Sequence, residues 1–232
     1  MTDYLLLIGV VLAGGLLGAW SKKHEKFVPY LISFSGSYLF AVIVFHLLPE
    51  IYGHHHQHAA HEVSAKTAGA FILAGLIFQM ILEYFSRGIE HAHDHRHGTG
   101  GLTAGVVAGL FLHAFAEGLP VHQQPTHHYL YGILVHKLPI ALALTAFLIQ
   151  SGLNTGRIIL ILVLFSLMTP LGTWAGEHFE LLKTYHIYVS AFVAGILTHV
   201  STVIIFESEP HHKFSLQKFL IMLFAFVLAY LN

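Results

Sequence analysis

Apolar stretches of about twenty residues recur along almost the whole chain, and no other feature limits its fold so strongly. A helix needs about 20 mostly apolar residues to cross the hydrocarbon of a bilayer. In hydrocarbon every backbone N–H and C=O must also find its partner within the protein, which leaves only helices and closed barrels. The runs here are continuous rather than alternating, so they read as helices. They cover Tyr4–Trp20, Val28–Glu50, Thr67–Phe85, Gly101–Val121, Tyr129–Gly152, Ile158–Gly176, Tyr185–Phe206 and Phe214–Leu231. Only 10% of the residues are charged and the mean hydropathy is +0.67, against about 25% charged in a soluble domain. The connectors are too short for a separate soluble domain. The expectation is an all-α, polytopic membrane protein, with eight transmembrane helices in one bundle that takes in residues 1–232.

Basic residues favour cytoplasmic loops. One alternate set of loops holds Lys22, Lys23, Lys26, Arg87, Arg96, Arg157, Lys213 and Lys218, and the other holds Lys66 and Lys183. That bias places both termini outside. The first run has no basic residues before it, so it reads as a retained span rather than a signal peptide. A net charge of −1 gives no electrostatic case for nucleic acid, and with no cysteine there are neither disulfides nor thiolate metal sites. Gly14 and Gly18 in the first span, and Gly101, Gly105 and Gly109 in the fourth, repeat every four residues. Such stripes let helices pack closely in lipid. Pro120 and Pro139 fall in the two spans with the most unusual polar residues, where freed carbonyls call for a cavity or a polar neighbour.

Those residues are His113 and Glu117 in the fourth span and His136 and Lys137 in the fifth. Ionisable groups in hydrocarbon are costly and mark sites or pathways. His113 and Glu117 stand at i and i+4 and share a helix face. Counted from the connector, the two motifs meet at similar depth. Two imidazoles and a carboxylate form an N2O donor set for a divalent transition metal, with open positions that suit an ion which must leave again. Lys137 is too deep to reach water easily, so it pairs with Glu117 or stands where a cation would otherwise sit. Further pathway candidates are His46, Glu50, Glu83, His199 and Glu207. Each of these is equally readable as an interface or packing residue.

Histidine is the compositional outlier, with 21 residues. His54, His55, His56, His58 and His61 fall in a loop at 51–66, outside on this topology. His91, His93, His95 and His97 fall in a cytoplasmic loop at 86–100. Short His-rich tracts read compositionally as metal-binding. The outer tract would gather ions, and the inner one would receive and hand them on. A solvated polar linker is the plainer alternative for both.

His113-x3-Glu117-Gly118 followed by His136-Lys137-x-Pro139 resembles the fourth- and fifth-helix motifs of the ZIP (Zrt-/Irt-like) metal transporters. His46-Leu47-Leu48-Pro49-Glu50 resembles the second-helix motif of that family, and Thr169-Pro170-Leu171-Gly172 its sixth. The resemblance implies eight helices with inverted repeats. It also implies uptake of Zn²⁺, Fe²⁺ or a similar ion into the cytoplasm between the fourth and fifth helices, by an elevator-like movement. The chain departs from the pattern at two positions. Ala114 stands where many members have Asn, and Ile140 where many have a carboxylate. Lys137 takes a ligand position of the second metal. The expectation is one transported metal, held by His113, Glu117 and His136.

An intramembrane zinc hydrolase and a non-transporting metal sensor are the alternatives. The sequence has no HExxH motif, and no nucleophile is tied by spacing to His113. Efflux carriers of the cation-diffusion type carry a soluble metal-binding domain for which there is no room. The expectation is therefore a carrier rather than an enzyme, with no prosthetic group and with a divalent ion as substrate, Zn²⁺ first and Fe²⁺, Mn²⁺ or Cd²⁺ behind it. Its setting is the cell membrane, the inner membrane if the source is bacterial. Its partners are the ion and the bilayer, with a homodimer left open.

Overall fold

The computed structural model describes residues 1–20, 27–53, 64–91, 100–207 and 215–232. The described residues are helical almost throughout: α1 (Thr2–Trp20), α2 (Val28–Val42), α3 (Leu48–Gly53), α4 (Ala65–His91), α5 (Gly100–Gly118), α6 (His128–Gln150), α7 (Thr155–His178), α8 (Glu180–Thr184), α9 (His186–Glu207) and α10 (Leu216–Leu231). A π-turn at Ile43–Leu47 joins α2 to α3, so the two form one rod. Seven of these helical stretches are long and apolar enough to cross a membrane. The last, α10, has 16 residues and falls short of that length. Its start is set by Ser215, whose side chain accepts the Lys218 N–H.

Local chemistry explains the boundaries. Pro29 near the start of α2 loses only an N–H that would lack a helical partner anyway. Further on, Pro49 has no N–H to give, and its ring crowds the carbonyl four residues back. Just before it the helix widens, with the Leu48 N–H reaching the Ile43 carbonyl. The fourth span was expected to run to Val121, but α5 stops at Gly118 and a single 3-10 turn follows at Val121–Gln123. Pro120 disfavours helical geometry at Leu119, so it ends this helix rather than kinking it. Pro139 and Pro170, by contrast, lie inside α6 and α7. At the other end of α6, Gly152 adopts φ +72° and turns the chain into α7.

The helices at the two His-rich loops run past the expected limits. The chain is helical to Gly53 and again from Ala65, and α4 continues to His91 while α5 begins at Gly100. A polar side chain ends membrane burial without ending backbone hydrogen bonding. His54, His55, His56, His58, His61, His93, His95 and His97 lie outside the described residues.

Two groups of helices emerge from the packing. One comprises α1, α5, α6 and α7; the other comprises α2, α4, α9 and α10; they meet along α2–α6 and α4–α5. Glycines let partners within each group touch backbone to backbone. A Cβ on Gly118 would strike the Thr169 carbonyl, and one on Gly172 the Phe115 carbonyl, which locks α5 to α7. Gly75 and Gly195 do the same for α4 and α9. Gly14 and Gly18 press on α6 as their spacing predicts, whereas a Cβ on Gly109 would meet nothing nearer than the Leu82 carbonyl at 3.9 Å. The close seam of α5 therefore lies at Gly118, not along the stripe through Gly109. Apolar side chains such as Leu16, Leu73, Leu160 and Phe224 point outward, as lipid requires.

Candidate functional site

Glu117 occupies the last turn of α5, where three neighbouring groups fix it. Tyr129, in the first turn of α6, donates its hydroxyl to the Glu117 carbonyl at 2.8 Å. Lys137 Nζ lies 2.7 Å from Glu117 Oε1 and 4.5 Å above the centre of the Phe165 ring. Thr169 Oγ1, on α7, is 3.0 Å from the same Oε1 and 2.9 Å from the Ala114 carbonyl, so its one proton serves either acceptor. The pairing of Lys137 with Glu117 is one of the two roles its position in the sequence allowed.

His113 and His136 complete the cluster. His113 Nε2 is 3.5 Å from Glu117 Oε2, and the two imidazole rings sit 6.3 Å apart, nearly perpendicular. All four groups, His113, Glu117, His136 and Lys137, are buried. Both ring nitrogens of His113, both of His136 and Glu117 Oε2 have no protein hydrogen-bond partner. Among these five atoms the structure gives one ion contact, that of His113 Nε2 with Glu117 Oε2 at 3.5 Å. Among the described residues, no three His, Asp or Glu side chains stand in metal-coordinating geometry.

Next to the cluster is a cavity of about 250 Å³ between α4, α5, α6 and α9. His113, Gln79, Glu83 and His199 are among the residues that line it. His199 Nε2 lies 2.8 Å from Glu83 Oε2. Ile140 gives the cavity an apolar side, at the position where the family resemblance led one to look for a carboxylate.

The remaining candidates are placed apart from Glu117. His46, in the π-turn, stacks on His128 at 4.3 Å and contacts the Ala229 carbonyl at 3.2 Å. Glu50 lines a small crevice with Gln123, His186 and Ser190. Glu207 is the last residue of α9 and His91 the last of α4. In the sequence Thr169 belongs only to a motif, and Tyr129 and Phe165 only to spans. Their roles come from long-range packing, for which the sequence carries no local signal.

A family model described as the ZIP zinc transporter matches residues 90–231, well over half of the chain. The chain belongs to the ZIP family. Comparison with curated proteins gives no match. ZIP membership makes this a multi-pass membrane carrier of divalent metal ions, which are its substrate. It agrees with the helical, apolar architecture of this ZIP chain and with the buried imidazoles and carboxylate between α5 and α6.

Proposed function

We infer that this ZIP protein carries Zn²⁺ into the cytoplasm, with Fe²⁺, Mn²⁺ and Cd²⁺ as competing cargo, through a single-metal site formed by His113, Glu117 and His136. The observation that carries this reading is the set of five buried, unpartnered nitrogen and oxygen atoms around Glu117. Imidazole nitrogen with carboxylate oxygen suits these ions. Glu117 divides its duties: Oε1 faces Lys137 and Thr169, while Oε2 and the two rings remain available. Lys137 thus fills one cation position with a tethered ammonium. A divalent ion bound beside that ammonium is held loosely, as a cargo must be.

From this site the cavity offers a route past Ile140 to Glu83 and His199, which would take the ion on towards the inner face. His46, Glu50 and Glu207 belong to the approaches at the helix ends. The tracts at 54–61 and 91–97 would gather ions outside and receive them inside. Radiolabelled Zn²⁺ uptake into proteoliposomes tests the reading, with His113→Ala and Glu117→Ala alongside and the other ions as competitors. Saturable uptake lost in both variants supports it. A folded wild type that binds Zn²⁺ and never moves it, or any other of these ions, sinks it in favour of a sensor.

A further inference from the structure

A second set of ionisable side chains gathers where α1 begins and where α5 and α7 end. Asp3 and Tyr4 come from the first turn of α1, His122 from the 3-10 turn after α5, and Glu177 from the last turn of α7. His122 Nδ1 lies 2.5 Å from Glu177 Oε1, and its Nε2 lies 3.1 Å from Asp3 Oδ2. Tyr4 donates its hydroxyl to Glu177 Oε2 at 2.7 Å and meets the imidazole edge-on. His178, the next titratable group on α7, contacts the Trp174 carbonyl through its own Nδ1.

A neutral imidazole has one N–H and one lone pair, and an ionised carboxylate only accepts. Both ring nitrogens of His122 face carboxylate oxygens, so only the doubly protonated ring donates to both. Loss of a proton turns a lone pair towards a carboxylate, and one of the three joined segments is released. The segment at stake is the end of α5. His122 follows Glu117 across the Gly118–Pro120 break, and its neighbour Gln123 donates to the Gly176 carbonyl at 2.9 Å. Helix ends fray, and Glu117 lies in the last turn.

We propose that His122, as an imidazolium, is a positioning residue for metal transport: it fastens the end of α5 to α1 and α7 and so holds Glu117 in place. The proposal rests on the reading of Glu117 as a ligand of the transported ion. The sign of its pH dependence is distinctive. The clamp is complete when the ring is protonated and loosens as pH rises.

The test is the initial rate of Zn²⁺ uptake into proteoliposomes, with equal pH on both faces, followed from acid to alkaline buffer. In the wild type KM rises on the alkaline side. His122→Gln raises KM by roughly tenfold at the acid end of the range, the scale on which supporting partners act on a metal site, and converges with wild type at the alkaline end. His122→Arg keeps a cation between the carboxylates and removes the alkaline rise. Glu177→Gln removes it independently, because the amide donates to Nδ1 while Nε2–H still serves Asp3. A wild-type KM in His122→Gln at the acid end, or an alkaline rise that survives in both other variants, overturns the proposal. Wild-type protein that transports nothing overturns the ligand reading instead, and the proposal with it.

Discussion

Two histidine–carboxylate clusters flank Pro120 along the chain, and they are built in opposite ways. In the His122 cluster both ring nitrogens, both oxygens of Glu177 and Asp3 Oδ2 each meet a partner, with Thr2 bonded to Asp3 Oδ1. The groups are also partly exposed, with 22% of the His122 side chain accessible. Around Glu117 the burial is nearly complete and the satisfaction is not. Four imidazole nitrogens and one carboxylate oxygen are left over. The same residue types therefore serve two ends. A paired cluster near the surface joins segments, while the buried one keeps five atoms outside any protein hydrogen bond.

The contrast is sharpest at His113. His113→Leu should bring Zn²⁺ uptake down to that of protein-free liposomes. The melting temperature of the variant in detergent should hold or rise, since the ring makes no protein hydrogen bond and has only the 3.5 Å contact of Nε2 with Glu117 Oε2 to lose. Marked unfolding of that variant would mean that the ring is structural and the contrast false. Glu117→Gln tests the other half, because it strands the Lys137 ammonium. It should destabilise the protein by about 3–5 kcal/mol, the usual cost of breaking a buried ion pair on one side. Glu117→Gln combined with Lys137→Met should recover most of that loss, as read from thermal unfolding of the four proteins in the cycle.

Smaller effects belong to the seam and to the paired cluster. Gly118→Ala forces α5 away from the Thr169 carbonyl and should cost about 1–3 kcal/mol, with a matching fall in melting temperature. Tyr4→Phe removes one hydrogen bond to a partly exposed carboxylate and should cost no more than about 1 kcal/mol. If Tyr4→Phe proved as damaging as Glu117→Gln, the two clusters would not differ in the way described.

The sequence made the spans legible because hydropathy is a local property that twenty consecutive residues report together. It also placed His113, Glu117, His136 and Lys137 at one level, since the i,i+4 spacing and a short connector fix depth on adjacent helices. It was less informative at helix ends, where α4 runs on to His91 and α5 halts at Gly118. Apolarity marks the membrane and not the helix. Contacts of Thr169 with Glu117, and of His122 with Asp3, join residues 52 and 119 positions apart. Only the arrangement of the helices brings them together, and no spacing in the chain announces it.

The ion pair between Lys137 and Glu117 also has an electrical consequence. Their charges cancel, and an imidazole that binds metal does so without charge of its own. A divalent ion would therefore enter a neutral cluster and give it two positive charges. The membrane potential does work of about 2.3 kcal/mol on each charge carried across 100 mV. A loaded site would be drawn towards the negative side, while the unloaded one would return without electrical opposition. The lysine that occupies a cation position would thus let the voltage act on the loaded site and leave the empty one alone.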